Sequence, residues 1–260
     1  MLAALLTNEG APVLNGDERA TGLGTGLAVG AEVALVAAAG ITAYTLRDFQ
    51  PGADYASDTQ PLRVALPDGS RAILDAHSAI ALDFGPDRRE VRLLAGRALF
   101  EAAPRSADGP AVTVVTADAT ATALGTRYTV ARDSDTTRIT VYTHQVAVQC
   151  LACADRQPQT LDAGQRMRVS ANGIDRDPAT PETAPAWSQG LLAFNDTALP
   201  DAAAQLARYT GKRILVWGER ARATRVSGTA GIADPRRALD LLLAQTKVDI
   251  TDLPGLLILR

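Results

Sequence analysis

The chain is poor in the residue types from which reactive sites are most often built. Only two cysteines, Cys150 and Cys153, and two histidines, His77 and His144, occur among its 260 residues. A structural zinc site would need a second pair of ligands beside Cys150 and Cys153, and the two widely separated histidines do not form one, so we expect neither a metal nor a cofactor. Aromatic residues make up only 4% of the chain, so the core must consist mainly of small aliphatic side chains.

An electrostatic signature for nucleic acid is also missing, because the net charge is −3 and the pI is about 5.5. The run that contains Asp75, His77 and Ser78 could suggest a catalytic pair or a nucleophile, but no motif supplies a second acid or base. The run is more typical of a turn that leads into a strand. We therefore predict that the chain is not an enzyme.

Cys150 and Cys153 have the spacing of a redox motif or of half a zinc site. A thioredoxin-type motif should open a helix, whereas a polar stretch ending at Pro158 follows here. The pair is therefore predicted to form a local disulfide, or to remain as two idle thiols, in a hairpin loop outside the cytoplasm.

One long apolar segment, residues 20–46, carries a single charge at Glu32 and is flanked by Arg19 and Arg47. About 20 apolar residues suffice to cross a bilayer, so we expect a single transmembrane segment. A weak signal peptide or a buried helix are the alternatives, although no basic residue occurs among the first eighteen. Residues 1–19 are then a short N-terminal tail.

Residues 47–174 have the pattern of an all-β domain, a sandwich, a barrel or stacked hairpins. Turn signals recur roughly every ten residues, as expected of such folds. Pro67 and Gly69 indicate a hairpin turn between strands, and residues 95–97 are predicted to form a second turn between strands at 90–94 and 98–102.

A proline-containing linker is predicted at residues 175–187, followed by a small α/β domain at 188–260 of order βαββαββ. Its short strands must include sheet edges, which can accept a strand from a partner. Three large residues of this domain are candidates for partner binding, with burial in the core as the alternative: Phe194, Tyr209 and Trp217.

Seven short motifs resemble those of the FecR-type family and occur in the same order along the chain. Members of this family are the transmembrane sigma-factor regulators of bacterial cell-surface signalling. The motifs lie at residues 55–56, 66–70, 92–96, 100–101, 123–128, 161–165 and 187–194. The last domain also resembles the signalling domain shared by secretins and TonB-dependent transducers, through Phe194, Leu199, Tyr209, 226–228 and 238–242.

The resemblance implies a protein that spans the bacterial inner membrane once, with most of the chain in the periplasm. There it would bind the signalling domain of a TonB-dependent outer-membrane receptor, often one for iron uptake. A cytoplasmic N-terminal domain would hold an extracytoplasmic-function sigma factor. Because only residues 1–19 precede the apolar segment, we expect that sigma-binding domain to be truncated or absent, or the start codon to be placed too late.

Two other classes of protein remain open at this point. One is an envelope structural or secretion-associated docking module without sigma regulation. The other is a hydrolase of envelope polysaccharide, which would need two carboxylates about 5–9 Å apart and an aromatic platform that the sequence does not indicate.

Overall fold

The computed structural model describes residues 51–104, 109–123, 125–178 and 184–260. All of them belong to one compact unit, Gln50–Arg260. The predicted transmembrane segment, residues 20–46, lies outside the described residues. Within the described ranges, no helix combines the length and the apolar character needed to cross a bilayer.

Thirteen strands form the first part of the described fold. In chain order they are β1 (Tyr55–Ala56), β2 (Leu62–Ala65), β3 (Arg71–Leu74), β4 (Ala79–Gly85), β5 (Arg88–Glu101), β6 (Val112–Val115), β7 (Ala119–Ala123), β8 (Arg127–Arg132), β9 (Thr136–Thr143), β10 (Gln145–Cys150), β11 (Gln159–Asp162), β12 (Gln165–Ser170) and β13 (Gly173–Pro178). The alternation of buried and more exposed residues along the sequence explains why these segments form strands. In β7, for example, the three alanines are buried and the two threonines between them are half-buried.

The long strand β5 belongs to two sheets. Its first half pairs with β4 and β6 in a sheet of order β1-β4-β5-β6-β7-β10-β11, and its second half pairs with β3 and β8 in a sheet of order β2-β3-β5-β8-β9-β12-β13. Alternate side chains of both sheets pack into one hydrophobic core, whose largest fully buried members are Phe100 and Tyr128. The prediction of an all-β domain is therefore confirmed.

Gly96 lies where β5 passes from one sheet to the other. The prediction of a hairpin turn at residues 95–97 is wrong, because β5 continues through them without reversing. Gly96 has a φ of 74°, and a Cβ atom at this position would lie 2.5 Å from the carbonyl oxygen of His77 and 2.7 Å from the Cα of Ser78. The glycine thus provides both the unusual backbone conformation and the room for the neighbouring chain.

The second part of the fold, residues 186–260, is built from helices and strands and is called the α/β part below. After a 3-10 turn (Ala186–Gln189), its elements are β14 (Leu191–Ala198), α1 (Leu199–Thr210), β15 (Arg213–Val216), α2 (Glu219–Ala223), β16 (Arg225–Gly231), α3 (Pro235–Leu243), β17 (Ile250–Leu253) and β18 (Leu256–Leu259). Strands β14 and β16 form one small antiparallel sheet, and β15, β18 and β17 form another in that order. The order matches the predicted one, with the short helix α2 added. Asp234 caps α3 by accepting a hydrogen bond from the backbone N–H of Arg237.

The two parts share a hydrophobic cluster, and the predicted linker at 175–187 overlaps the last strand of the β-sheets. Strand β13 continues to Pro178, so the beginning of the predicted linker pairs with β12. Ile73, Ala76 and Leu99 belong to the same hydrophobic cluster as the core of the α/β part. Strands β3 and β5 are therefore covered on both faces, on one by the β-sheet core and on the other by the α/β part.

Candidate partner-binding site

Asp75 is the centre of a buried polar cluster that joins the β-sheets to the α/β part. It directly follows β3 and is 0% exposed. Its Oδ2 accepts a hydrogen bond from Arg97 Nε at 2.5 Å, and its Oδ1 accepts one from the Tyr209 hydroxyl at 2.7 Å. Arg208 Nη2 lies 3.4 Å from Oδ2 and donates to the carbonyl of Ala76 at 2.8 Å. One carboxylate thereby ties β5 to two neighbouring residues of α1.

Short polar contacts hold the backbone around Asp75. The hydroxyl of Ser57 donates to the carbonyl oxygen of Asp75 and accepts a hydrogen bond from the backbone N–H of Ser78 at 3.0 Å. The hydroxyl of Ser78 accepts from the backbone N–H of Arg97 at 3.0 Å. Ser78 is only 1% exposed, so its hydroxyl is not accessible to a substrate in this structure. The run 75–78 therefore serves to position the Asp75 carboxylate.

Two donors of the cluster, Arg97 and Tyr209, have raised pKa values. Burial alone would lower the pKa of Arg97, but the nearby Asp75 carboxylate outweighs this effect and raises it. Burial raises the pKa of Tyr209, and Asp75 raises it further, so the phenol stays protonated and donates to the carboxylate. The guanidinium of Arg97 also lies over the ring of Trp187, with Cζ 5.0 Å from the ring centroid.

Two hydrogen bonds outside the cluster cross the same contact between the two parts. Arg63 Nη2 donates to the carbonyl of Ser188 at 3.1 Å, and Gln60 Nε2 donates to the carbonyl of Ile232 at 3.1 Å. Together with the shared hydrophobic cluster, they hold the two parts together at several points along the chain.

The three predicted partner-binding residues lie in different environments. Phe194 and Tyr209 are 4% and 2% exposed and belong to the core of the α/β part, so neither meets a partner at the surface in this structure. Trp217 is 63% exposed and directly follows the edge strand β15. Sequence reasoning missed Asp75 and Arg97 as a site. The available signal was a charged residue next to short apolar runs, residues 72–74 before Asp75 and residues 98–100 after Arg97.

A surface cleft of about 550 Å³ lies beside an ion pair between Asp68 and Arg89. Arg89 Nε donates to Asp68 Oδ2 at 2.8 Å, and the hydroxyl of Ser70 donates to the same oxygen at 2.7 Å. Burial alone would raise the pKa of Asp68, but the hydrogen bonds from Ser70 and Arg89 lower it. The remaining lining is mostly apolar: Phe84, Gly85, Gly109 and four prolines, Pro67, Pro86, Pro104 and Pro110. The charges of Asp68 and Arg89 neutralise each other, so the cleft offers no unpaired charge to a charged ligand.

Cys150, the last residue of β10, forms a disulfide with Cys153 in the loop between β10 and β11. The backbone N–H of Cys153 donates to the Sγ of Cys150 at 3.0 Å, and Cys150 is fully buried. In the part of the chain that the structure describes, no three His, Cys, Asp or Glu side chains come together as ligands for a metal ion.

Residues 54–147 match the family model described as FecR protein. This segment is a FecR-type domain. It extends from β1 into β10 and so includes Asp75, Gly96 and Arg97, whereas Tyr209 and Trp217 lie beyond it.

Solved structures similar to this chain include two crystal structures of a candidate anti-sigma factor from Parabacteroides distasonis, at 1.65 and 2.50 Å resolution. They match with TM-scores of 0.61 and 0.60 at 21% sequence identity, and cover 79% of this chain and 96% of theirs. At this identity the likeness shows a shared fold. No curated protein matches the sequence.

The FecR-type domain and the α/β part both contribute side chains to the Asp75 cluster. The FecR-type domain supplies the carboxylate and Arg97, and the α/β part supplies Tyr209, Arg208 and the Trp187 ring. The cluster is a contact within the chain. Trp217, on the exposed side of the α/β part, is the predicted binding residue that a partner can reach.

Proposed function

We propose that the chain is a FecR-type regulator that relays the state of a TonB-dependent outer-membrane receptor to an extracytoplasmic-function sigma factor. In this proposal residues 20–46 cross the inner membrane once and residues 51–260 lie in the periplasm. The observation that carries the proposal is the FecR-type domain at residues 54–147. The fold shared with a candidate anti-sigma factor supports the same regulatory class.

A relay of this kind needs a mechanical connection between the surface that binds the receptor and the chain near the membrane. The buried Asp75 cluster and the shared hydrophobic core supply it, because they make the FecR-type domain and the α/β part move together. A receptor domain that binds the α/β part therefore also displaces or stabilises the FecR-type domain. Differential binding to two such states is what shifts a signalling equilibrium.

The proposal is tested with a reporter gene controlled by the sigma factor that is encoded beside this chain. Cells that lack the chain are compared with cells that carry it, with and without the ligand of the neighbouring receptor. We expect the response to that ligand to be lost in cells without the chain and restored by the full-length chain. An unchanged response, with normal accumulation of the chain in the complemented cells, contradicts the proposal and favours an envelope docking module.

The membrane topology is tested separately. A full-length chain with a C-terminal tag should fractionate with the inner membrane, and protease added to spheroplasts should remove the tag. Protection of the tag, with a periplasmic control protein degraded in the same sample, contradicts the proposed orientation.

A further inference from the structure

The three-stranded sheet of the α/β part has one covered and one open face. Ile214 and Val216 of β15 pack against the hydrophobic core, as do the buried residues Leu257 and Leu259 of β18. Side chains alternate along a strand, so the residues between them lie on the opposite face. On the open face, Arg213, Leu215 and Trp217 lie beside Leu256 and Ile258 of β18. Thr251 and Leu253 of β17 lie on the far side of β18.

The open face is apolar and accessible. Trp217 is 63% exposed, Leu215 is 40% exposed and Leu253 is 42% exposed. These three are among the six large hydrophobic residues that are exposed in the described chain. Their concentration on one small sheet is the kind of patch that marks an interaction site.

One edge of this sheet is also unpaired. Strand β15 pairs with β18 on one side, and the backbone N–H groups of Arg213 and Trp217 donate toward that strand at 3.0 and 2.7 Å. Successive backbone groups of a strand point to opposite sides, so those of Ile214 and Val216 point away from β18. Within the described ranges no second strand pairs with β15. On this edge Arg222 Nε donates to the carbonyl oxygen of Val216 at 3.5 Å, at the long limit of a hydrogen bond. An added strand would take the place of that side chain and hydrogen-bond to the edge.

The surroundings of the edge are positively charged, although the whole chain has a net charge of −3. Between residues 212 and 225 there are five basic residues and one acidic residue. Two of the basic residues form ion pairs with carboxylates of the chain. The other three have no carboxylate partner in the part of the chain that the structure describes: Arg213, Arg220 and Arg222. Arginines without a carboxylate partner beside an apolar patch complement a partner that carries acidic and apolar side chains.

We propose, resting on the function proposed above for the identity of the partner, that the free edge of β15 receives an extended segment of the receptor's signalling domain as a fourth strand. Apolar side chains of that segment pack on Leu215 and Trp217, and acidic side chains face Arg213, Arg220 and Arg222. Backbone hydrogen bonds along β15 align the added strand. The apolar patch and the arginines favour a segment that carries apolar and acidic side chains.

The test uses the full-length chain in lipid nanodiscs and the purified signalling domain of the neighbouring TonB-dependent receptor. Binding is measured by calorimetry for the native chain and for Trp217→Ala, with Leu241→Ala as the matched control. Leu241 is 67% exposed but lies on α3, away from this edge. We expect at least about a tenfold loss of affinity for Trp217→Ala and little change for Leu241→Ala.

The charge argument is tested in the same assay with the double variant Arg213→Glu, Arg222→Glu. Arg168→Glu is the matched control, since Arg168 is an exposed arginine on β12 in the other part of the fold. The double variant should bind more weakly at low salt, and its affinity should depend less on salt than that of the native chain. Equal losses in the double variant and the control would overturn the role of this charge.

Hydrogen exchange separates an added strand from simple docking on the open face. An added strand protects the amides of Ile214 and Val216, which are expected to exchange in the free chain, whereas docking through side chains alone leaves them exchanging. Protection of these two amides on binding, with the loss in Trp217→Ala, is the expected result. Binding that leaves them exchanging, or that Trp217→Ala does not weaken, overturns the inference and leaves the proposed function intact.

The remaining outcomes identify other occupants or a different partner. If these amides are already protected in the free chain, another segment of the chain covers the edge. If their protection increases with the concentration of the chain, a second copy of the chain covers the edge. Either result overturns the inference. Absence of any binding by the native chain, with both proteins shown to be folded, overturns the proposed function together with the occupant named here.

Discussion

Replacing Asp75 with asparagine removes the charge of the buried cluster and keeps its shape. Removing one member of a buried charged pair typically costs about 3–5 kcal/mol, because the partner charge stays behind without compensation. The side chains of Arg97 and Arg208 are 34% and 37% exposed, so water can partly solvate them, and the amide oxygen can still accept from Tyr209. We therefore expect a loss near the lower end, about 3 kcal/mol in the free energy of unfolding.

The assay is urea unfolding of residues 50–260, the compact unit that contains both hydrophobic cores, followed by circular dichroism and tryptophan fluorescence. With a urea dependence of about 2–3 kcal/mol per molar, the midpoint should fall by roughly 1–1.5 M. Both probes should give the same midpoint if the two parts unfold together.

The matched control is Asp83→Asn. Asp83 accepts a hydrogen bond from Arg88 at 2.6 Å, but the two side chains are 40% and 60% exposed, so the loss should stay below about 1 kcal/mol. A loss for Asp75→Asn no larger than that of the control would refute the conclusion that the cluster holds the two parts together. Separate transitions for the two probes in the native protein would refute it as well.

Three further predictions concern Gly96, Tyr209 and the disulfide pair. Gly96→Ala should destabilise the protein by about 1–3 kcal/mol in the same urea assay, because alanine disfavours the φ of 74° and its Cβ would collide with His77; a neutral effect would show that β5 can be rebuilt without the bend. The raised pKa of Tyr209 means that the folded state holds the phenolic proton more tightly than the unfolded state. Its contribution to stability is therefore complete below about pH 10 and declines as the pH rises above it, and Tyr209→Phe should make the alkaline loss of stability shallower. Replacing Cys150 and Cys153 together by serine should leave the sigma-dependent reporter response unchanged, since no metal-ligand cluster surrounds them in the described chain, and loss of the response in a stable variant would assign them a signalling role.

Local patterns predicted most of the strands and helices, because alternation, turn residues and helix caps act over a few neighbouring positions. Pro67 and Gly69, for example, predict a hairpin turn between strands, and β2 and β3 pair on either side of that turn. The same reasoning failed at Gly96. A glycine between two apolar stretches has the same local pattern in a hairpin turn and in a bent strand, and only pairing with distant strands distinguishes them.

The Asp75 cluster could not be predicted from local sequence at all. Its carboxylate accepts from Tyr209, which is 134 residues away in the chain, so no spacing pattern connects them. Tyr209 and Trp217 were indistinguishable as large residues of the α/β part, yet one is buried and the other is exposed. Which of them a partner can touch depends on the side of the fold that the FecR-type domain covers.

Because β3 and β5 line two hydrophobic cores at once, the chain is less modular than its order of segments suggests. Neighbouring residues of β3, Ala72 and Ile73, point into different cores. A polar substitution at Ala72 therefore disturbs the core of the β-sheets, and one at Ile73 disturbs the core of the α/β part. A chimera could join this FecR-type domain to the α/β part of a relative at residues 179–187. It would replace the α/β side of the contact and keep the side formed by β3 and β5. Such exchanges should succeed only when Ile73, Asp75 and Leu99 are redesigned together with the incoming helix, so the natural unit of exchange is the whole of residues 50–260.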